Sequence, residues 1–135
     1  MSLDLRLERV LRHPVDKVWR ALTSPERMAT WLMPNDFEPA VGHRFRLNGE
    51  PMPGWRGWAE CEVVELDAPT RMVWAWWAND DVHETKVTFE LETVGDGTRL
   101  VLTHVGPEAA TLARLLESGW PGKLDALAAL LDGSG

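Results

Sequence analysis

Hydrophobic residues recur along this chain with two periods. From Glu108 to Leu131 the period is helical. Ala109, Leu112, Leu116, Trp120, Leu127 and Leu131 share one face, and Thr111, Arg114, Ser118, Asp125 and Asp132 share the opposite one. This is the pattern of an amphipathic helix that buries a broad apolar stripe. Lys123 falls inside the stripe, and Pro121 removes the N–H that would bond the carbonyl of Glu117. The spacing predicts one helix kinked near Gly119-Trp120-Pro121, or two helices meeting there with Pro121 at a first helical position. Residues 132–135, Asp-Gly-Ser-Gly, read as a loose tail.

Elsewhere the strand period of two prevails. Leu3, Leu5 and Leu7 alternate with Asp4, Arg6 and Glu8. The same parity would turn Arg9 inward, so a slip or bulge that hands the inner face to Val10 is expected. His13-Pro14 ends the strand. Val15, Val18, Trp19 and Leu22 then form one face of a helix over 15–22, and Thr23-Ser24-Pro25-Glu26 starts a second one reaching Trp31. There Ser24 can cap, and Pro25 suits the first helical position. Met33 to Gly42 reads as loop, His43 to Leu47 as a short strand and Asn48-Gly49 as a turn. Glu50 to Gly57, with paired Pro and Gly, is expected to be a mobile loop. Trp58 to Leu66, Arg71 to Trp77, Glu84 to Val94 and Thr98 to Val105 are strands. They are separated by turns at Asp67-Ala68-Pro69-Thr70, Asn79-Asp80-Asp81 and Gly95-Asp96-Gly97. The fold class is therefore α+β: a strand, two short helices, a run of antiparallel strands and a long terminal helix in a single domain over 1–135.

Composition narrows the function more than the fold. A formal net charge of −7 with no basic stretch argues against nucleic acid and against an anionic membrane surface. No apolar run would span a membrane, and the N-terminus alternates charge with Leu where a signal peptide would be continuously apolar. The lone Cys61 cannot form an internal disulfide. A cytoplasmic protein is expected. Eight Trp and no Tyr give large aromatic surfaces with few hydroxyl groups.

Five blocks now resemble one family. Pro14-x3-Val18-Trp19-x-Ala21-Leu22-Thr23-x-Pro25-Glu26-x4-Trp31 is similar to the opening signature of the activator of heat-shock-protein-90 ATPase homologue family. That family sits within the START-like, SRPBCC or birch-pollen-allergen superfamily. Val41-Gly42-x2-Phe45 resembles its second block, and Gly57-x7-Glu65-x3-Pro69-x-Arg71-x2-Trp74-x-Trp76 its third. Gly97-Thr98-x-Leu100-x-Leu102-Thr103-His104 resembles its hairpin, and Gly119-Trp120-x3-Leu124-x2-Leu127 its terminal helix. The resemblance covers nearly the whole chain. It implies a helix-grip fold, in which a curved antiparallel sheet wraps around the terminal helix with a cavity between them. It does not imply one activity, since the superfamily includes lipid carriers, hormone receptors, polyketide cyclases and a co-chaperone domain.

No specific catalytic set stands out. The four His (His13, His43, His83 and His104) do not share metal-ligand spacing with Cys61 or with one another. No metal and no cofactor is expected, and no phosphate loop or nucleophile elbow is present. Asp80-Asp81 reads as a solvated turn and Glu60/Glu62 as one polar strand face. The candidate ligand-binding set follows from parity. Phe89 and Leu102 lie on the apolar sides of their strands, and His104 keeps the parity of Leu102. Trp74 and Trp76 share a strand face, with Trp77 on the other. Leu116 and Trp120 are one turn apart on the helix stripe. Together they should line a cavity that Trp58 could also meet, with Trp19 and Trp31 in the core. Arg9 and Lys123 are inward-leaning cations that either snorkel or meet a ligand carboxylate. The expected function is a binding module for a small hydrophobic or amphipathic molecule. The alternatives are a polyketide cyclase or hydratase-like enzyme and a domain that contacts a chaperone or regulator. Ligand identity and oligomeric state are not encoded in these patterns.

Overall fold

The computed structural model describes residues 2–79, 84–107 and 110–133. The expected turn at Asp80-Asp81, His83, the first two residues of the expected terminal helix (Glu108 and Ala109), and Ser134-Gly135 lie outside the described residues. In chain order the elements are β1 (Ser2–Leu11), α1 (Val15–Thr23), α2 (Pro25–Trp31), β2 (Arg44–Asn48), β3 (Trp58–Asp67), β4 (Arg71–Trp77), β5 (Thr85–Val94), β6 (Gly97–Pro107) and α3 (Ala110–Gly133). The strands form a six-stranded sheet in the order β1-β6-β5-β4-β3-β2, antiparallel throughout. Hairpin neighbours in sequence are neighbours in the sheet. The exception is β1, which the two short helices carry across to pair with β6.

One face of the sheet is the core. Val87, Phe89 and Leu91 of β5 and Leu100, Leu102 and His104 of β6 are buried on it, as the alternation requires. α3 lies across this face and buries Leu112, Ala113, Trp120, Leu124, Leu127 and Leu131. Thr111, Arg114, Ser118 and Asp125 on its other side are exposed. A sheet with one apolar side covered by a long helix is the helix-grip arrangement.

α3 is a single helix that runs through Pro121, so the two-helix alternative does not apply. Trp120 and Leu124, buried on either side of Pro121, hold the helix there by tertiary packing. The expected loose tail is also corrected at its start. Asp132 and Gly133 belong to α3, and Asp132 Oδ1 lies 2.7 Å from His13 Nε2. Lys17 donates to the Leu131 carbonyl at 2.9 Å, placing a positive charge at that helix end.

The expected bulge in β1 is absent. Its pairing with β6 is unbroken from Ser2↔Pro107 to Leu11↔Thr98, so Arg9 does take the inner side and Val10 is 64% exposed. Arg9 tolerates this because its head turns back to the Glu8 carbonyl at 3.0 Å while its stem lies along the sheet. The register shift falls in β3, between Val63 and Glu65. At the start of α2, Pro25 takes the first helical position as expected, but the Ser24 side chain makes no capping bond. Its carbonyl accepts from the Met28 N–H at 2.8 Å.

Candidate functional site

The centre of the sheet is a train of aromatic rings. Centroid separations are 5.1 Å for Phe37–Phe45, 5.0 Å for Phe45–Trp74 and 4.8 Å for Trp74–Phe89. They continue at 6.2 Å for Phe89–Trp120 and 5.9 Å for Trp120–Trp76. Most are edge-on, the arrangement that ring quadrupoles favour.

His104 sits at the end of this train, fully buried, with its ring 5.1 Å from that of Trp76. Trp120 donates its indole N–H to His104 Nδ1 at 3.1 Å. An indole nitrogen can only donate, so Nδ1 must be the bare acceptor of the ring. The hydrogen of the neutral imidazole then sits on Nε2 and is donated to Thr85 Oγ1, 2.8 Å away. The Thr85 hydroxyl donates in turn to the Trp76 carbonyl at 3.4 Å. Burial pushes the His104 pKa down to about 3, which keeps this tautomer neutral. Both ring nitrogens are thereby engaged within the protein.

The cavity lies beside this cluster. It measures about 590 Å³ and is half enclosed, within the range of small-molecule sites. Ala29, Leu32, Met33 and Pro34 form one wall, from α2 and the residues after it. Leu112, Leu115, Leu116, Ser118, Gly119, Trp120 and Lys123 of α3 form the second. The third comes from Asn48, Gly49, Glu50, Met52 and Trp55, with Trp76 and Ala78 at the floor.

Three of the seven expected lining residues, Trp76, Leu116 and Trp120, meet in this cavity. Trp74, Phe89, Leu102 and His104 do not line it, which corrects the parity argument. They share the inner face, but they are packed under Trp120 and Trp76 with no surface left over. Parity assigns a face; it does not say which side chains fill that face and which border empty space. Trp58 is corrected too. It lies on the outer face of β3, between the guanidinium groups of Arg46 and Arg56 at 3.8 and 3.3 Å from its ring centroid. Trp77 is on that face as expected, with Arg44 at 5.5 Å. Trp31 is buried and donates to the Ala21 carbonyl at 2.8 Å, and Trp19 packs half-buried against the core.

The third wall was missed because its residues, apart from Asn48 at the end of β2, belong to no periodic element. Trp55 held the available signal: a large aromatic residue inside a Pro- and Gly-rich segment needs something to cover. Its indole N–H bonds the Ala78 carbonyl at 3.1 Å, and the Arg56 N–H bonds Asn79 Oδ1 at 3.1 Å. The segment expected to be a mobile loop is thus tied to the end of β4. It also lies against α3, since a Cβ at Gly54 would sit 2.6 Å from the Thr111 methyl.

The chemistry of the wall is mainly apolar. Lys123 donates to the Leu32 carbonyl at 2.8 Å, and burial lowers its pKa. Glu50 is exposed at the rim. The indole N–H of Trp76 is buried without an acceptor among the described residues, as is that of Trp74. No group of three or more potential metal ligands occurs among the described residues. Cys61 is buried, and burial together with the charge of Glu60 raises its thiol pKa.

The model of the family Activator of Hsp90 ATPase homolog 1-like protein matches residues 12–132. The chain belongs to this family. The crystal structure of protein MLL2253 from Mesorhizobium loti is similar to this member at 34% identity and a TM-score of 0.87, covering 98% of each chain. Protein BH1534 from Bacillus halodurans shares 26% identity with a TM-score of 0.75, over 95% of this chain and 96% of its own. CalU16 from Micromonospora echinospora shares 24% identity with a TM-score of 0.77, over 97% of this chain and 77% of its own, a likeness of fold. No curated protein matches. As a member of the Activator of Hsp90 ATPase homolog 1-like family, the chain carries the helix-grip fold, and its cavity lies between the grip helix and the loops at one end of the sheet.

Proposed function

We propose that this Activator of Hsp90 ATPase homolog 1-like chain is a binding module for a small hydrophobic or amphipathic molecule held in the cavity between α3, the end of α2 and the 48–55 segment. The observation that carries this reading is the cavity itself: about 590 Å³ within a chain whose other inner-face rings are closely packed. Trp55, Trp76 and Trp120 border it and offer flat apolar contact. A proton-transfer role for His104, as a cyclase or hydratase-like reading would use, is poorly supported, because both its nitrogens are engaged and it lies behind the wall. An interaction surface is no better supported. The large exposed hydrophobics among the described residues (Val10, Val41, Met52 and Val105) are spread over separate elements. A cytoplasmic site of action is part of the proposal and is supported by the free thiol of Cys61. Among the described residues no helix is long and apolar enough to cross a membrane.

The test is titration with 1-aminoanthracene, a flat neutral fluorophore. It should bind saturably, brighten and quench Trp emission. Leu116→Trp should fill the cavity and weaken binding about tenfold or more. Lack of saturable binding to the folded wild-type chain would overturn the reading.

A further inference from the structure

Resting on that reading, we infer that the cavity is built for an apolar molecule with an anionic or strongly accepting oxygen head, and that Lys123 is the residue that selects it. Lys123 sits on the apolar stripe of α3, where a side chain serving only solubility would not be placed. Its neighbours on the cavity wall are Leu32, Leu116 and Trp120. Its ammonium has three N–H donors, and one reaches the Leu32 carbonyl at 2.8 Å. The ion pairs among the described residues leave it out, although acidic side chains elsewhere on the surface are extensively paired.

A cation held against an apolar cavity, with no ion-pair partner among the described residues, is a selective anchor. An incoming carboxylate gains a charge-assisted hydrogen bond in a partly desolvated site, where such bonds are strongest. The negative charge of the same carboxylate offsets the burial that disfavours the charge of Lys123. The other charged group of the lining, Glu50, is exposed at the rim, so it would repel a carboxylate there through water and not across the cavity. The ligand class is thus a medium-chain or ring-bearing carboxylic acid, its apolar body against Leu116 and Trp120 and its head at Lys123.

Calorimetric titration with decanoate and with decanol at pH 7 separates the parts of this argument. The wild-type chain should bind decanoate about tenfold or more tighter than decanol. Lys123→Met should abolish that preference, and Lys123→Arg should restore most of it. Circular dichroism and urea melts establish that each variant is folded, and Lys123→Gln replaces the Met variant if that one is not. Equal binding of the two probes by the wild type, or a decanoate preference that survives Lys123→Met or Lys123→Gln, overturns the inference while the cavity reading stands. Binding of neither probe while 1-aminoanthracene still binds overturns the inference alone, and binding of none of the three overturns both.

Discussion

Trp120 of α3 and His104 of β6 are joined by a hydrogen bond of 3.1 Å that ties the grip helix to the centre of the sheet. The bond is buried, and its geometry sets the tautomer of the imidazole and the position of the indole that forms the cavity wall. Trp120→Ala should cost on the order of 3–5 kcal/mol, as large aromatic truncations in cores do. Trp120→Phe keeps most of the ring but leaves Nδ1 without a donor, and should cost about 1–3 kcal/mol. Urea melts measure both, and a loss below about 0.5 kcal/mol for the Ala variant would show that the contact contributes nothing.

His104 makes stability depend on pH in a definite direction. Its pKa is pushed by burial from the ordinary imidazole value of 6.5 to about 3 in the folded chain. Between these values the unfolded state binds the proton and the folded state does not, so stability rises with pH across that window. The contribution is fully present above about pH 6.5 and is lost as pH falls towards about 3, by at most about 1.4 kcal/mol per pH unit. Nitrogen-15 shifts of the ring should report the neutral Nε2–H form at pH 5. Titration of this ring near pH 6.5 would contradict the assignment.

Lys17 and His13 secure the far end of α3. Lys17 donates to the Leu131 carbonyl at 2.9 Å and to His13 Nδ1 at 3.2 Å, and His13 Nε2 lies 2.7 Å from Asp132 Oδ1. Lys17→Met should cost about 0.5–1.5 kcal/mol through the lost hydrogen bond to Leu131 and the lost charge at the helix C-terminus. Hydrogen exchange should quicken at the last turn of α3 and not at Trp120. Uniform loss of protection along the helix would show that Lys17 acts elsewhere.

The cavity's loop wall depends on Gly57. Its φ is +100°, and a Cβ there would lie 2.7 Å from the backbone nitrogen of Pro51. Gly57→Ala meets both a disfavoured conformation and immovable backbone, so it should cost about 1–3 kcal/mol. The Gly49 N–H bond to the Gly57 carbonyl, 2.6 Å, should be disturbed as well. Affinity for 1-aminoanthracene should fall in parallel. Unchanged stability and affinity would show that the segment adapts without cost.

The outer face offers a separate test. Trp58 lies between Arg46 and Arg56. Arg46→Met should cost about 0.5–1 kcal/mol, and a double-mutant cycle with Trp58→Leu should recover that as coupling. Zero coupling would reduce the stack to proximity.

The sequence by itself determined the order of elements, the face of each strand apart from the end of β1, and the burial of Trp120. These follow from local periodicity, because a side chain's direction is set by its own backbone. Leu3, Leu5 and Leu7 point inward, and Glu60 and Glu62 share the outer face, for that reason alone. Tertiary structure decided the rest. Arg9 stays inward because a neighbouring carbonyl takes its head, and β1 needs no bulge. Pro121 stays inside one helix because packing of Trp120 and Leu124 outweighs a single missing backbone bond. The cavity sits beside Trp76, Leu116 and Trp120 and away from Trp74, Phe89, Leu102 and His104, because empty space is what remains after side chains from distant segments have packed. Trp55, from a segment without any period, closes one wall of it. No local pattern encodes a void, since its boundary is a property of all the elements that meet there.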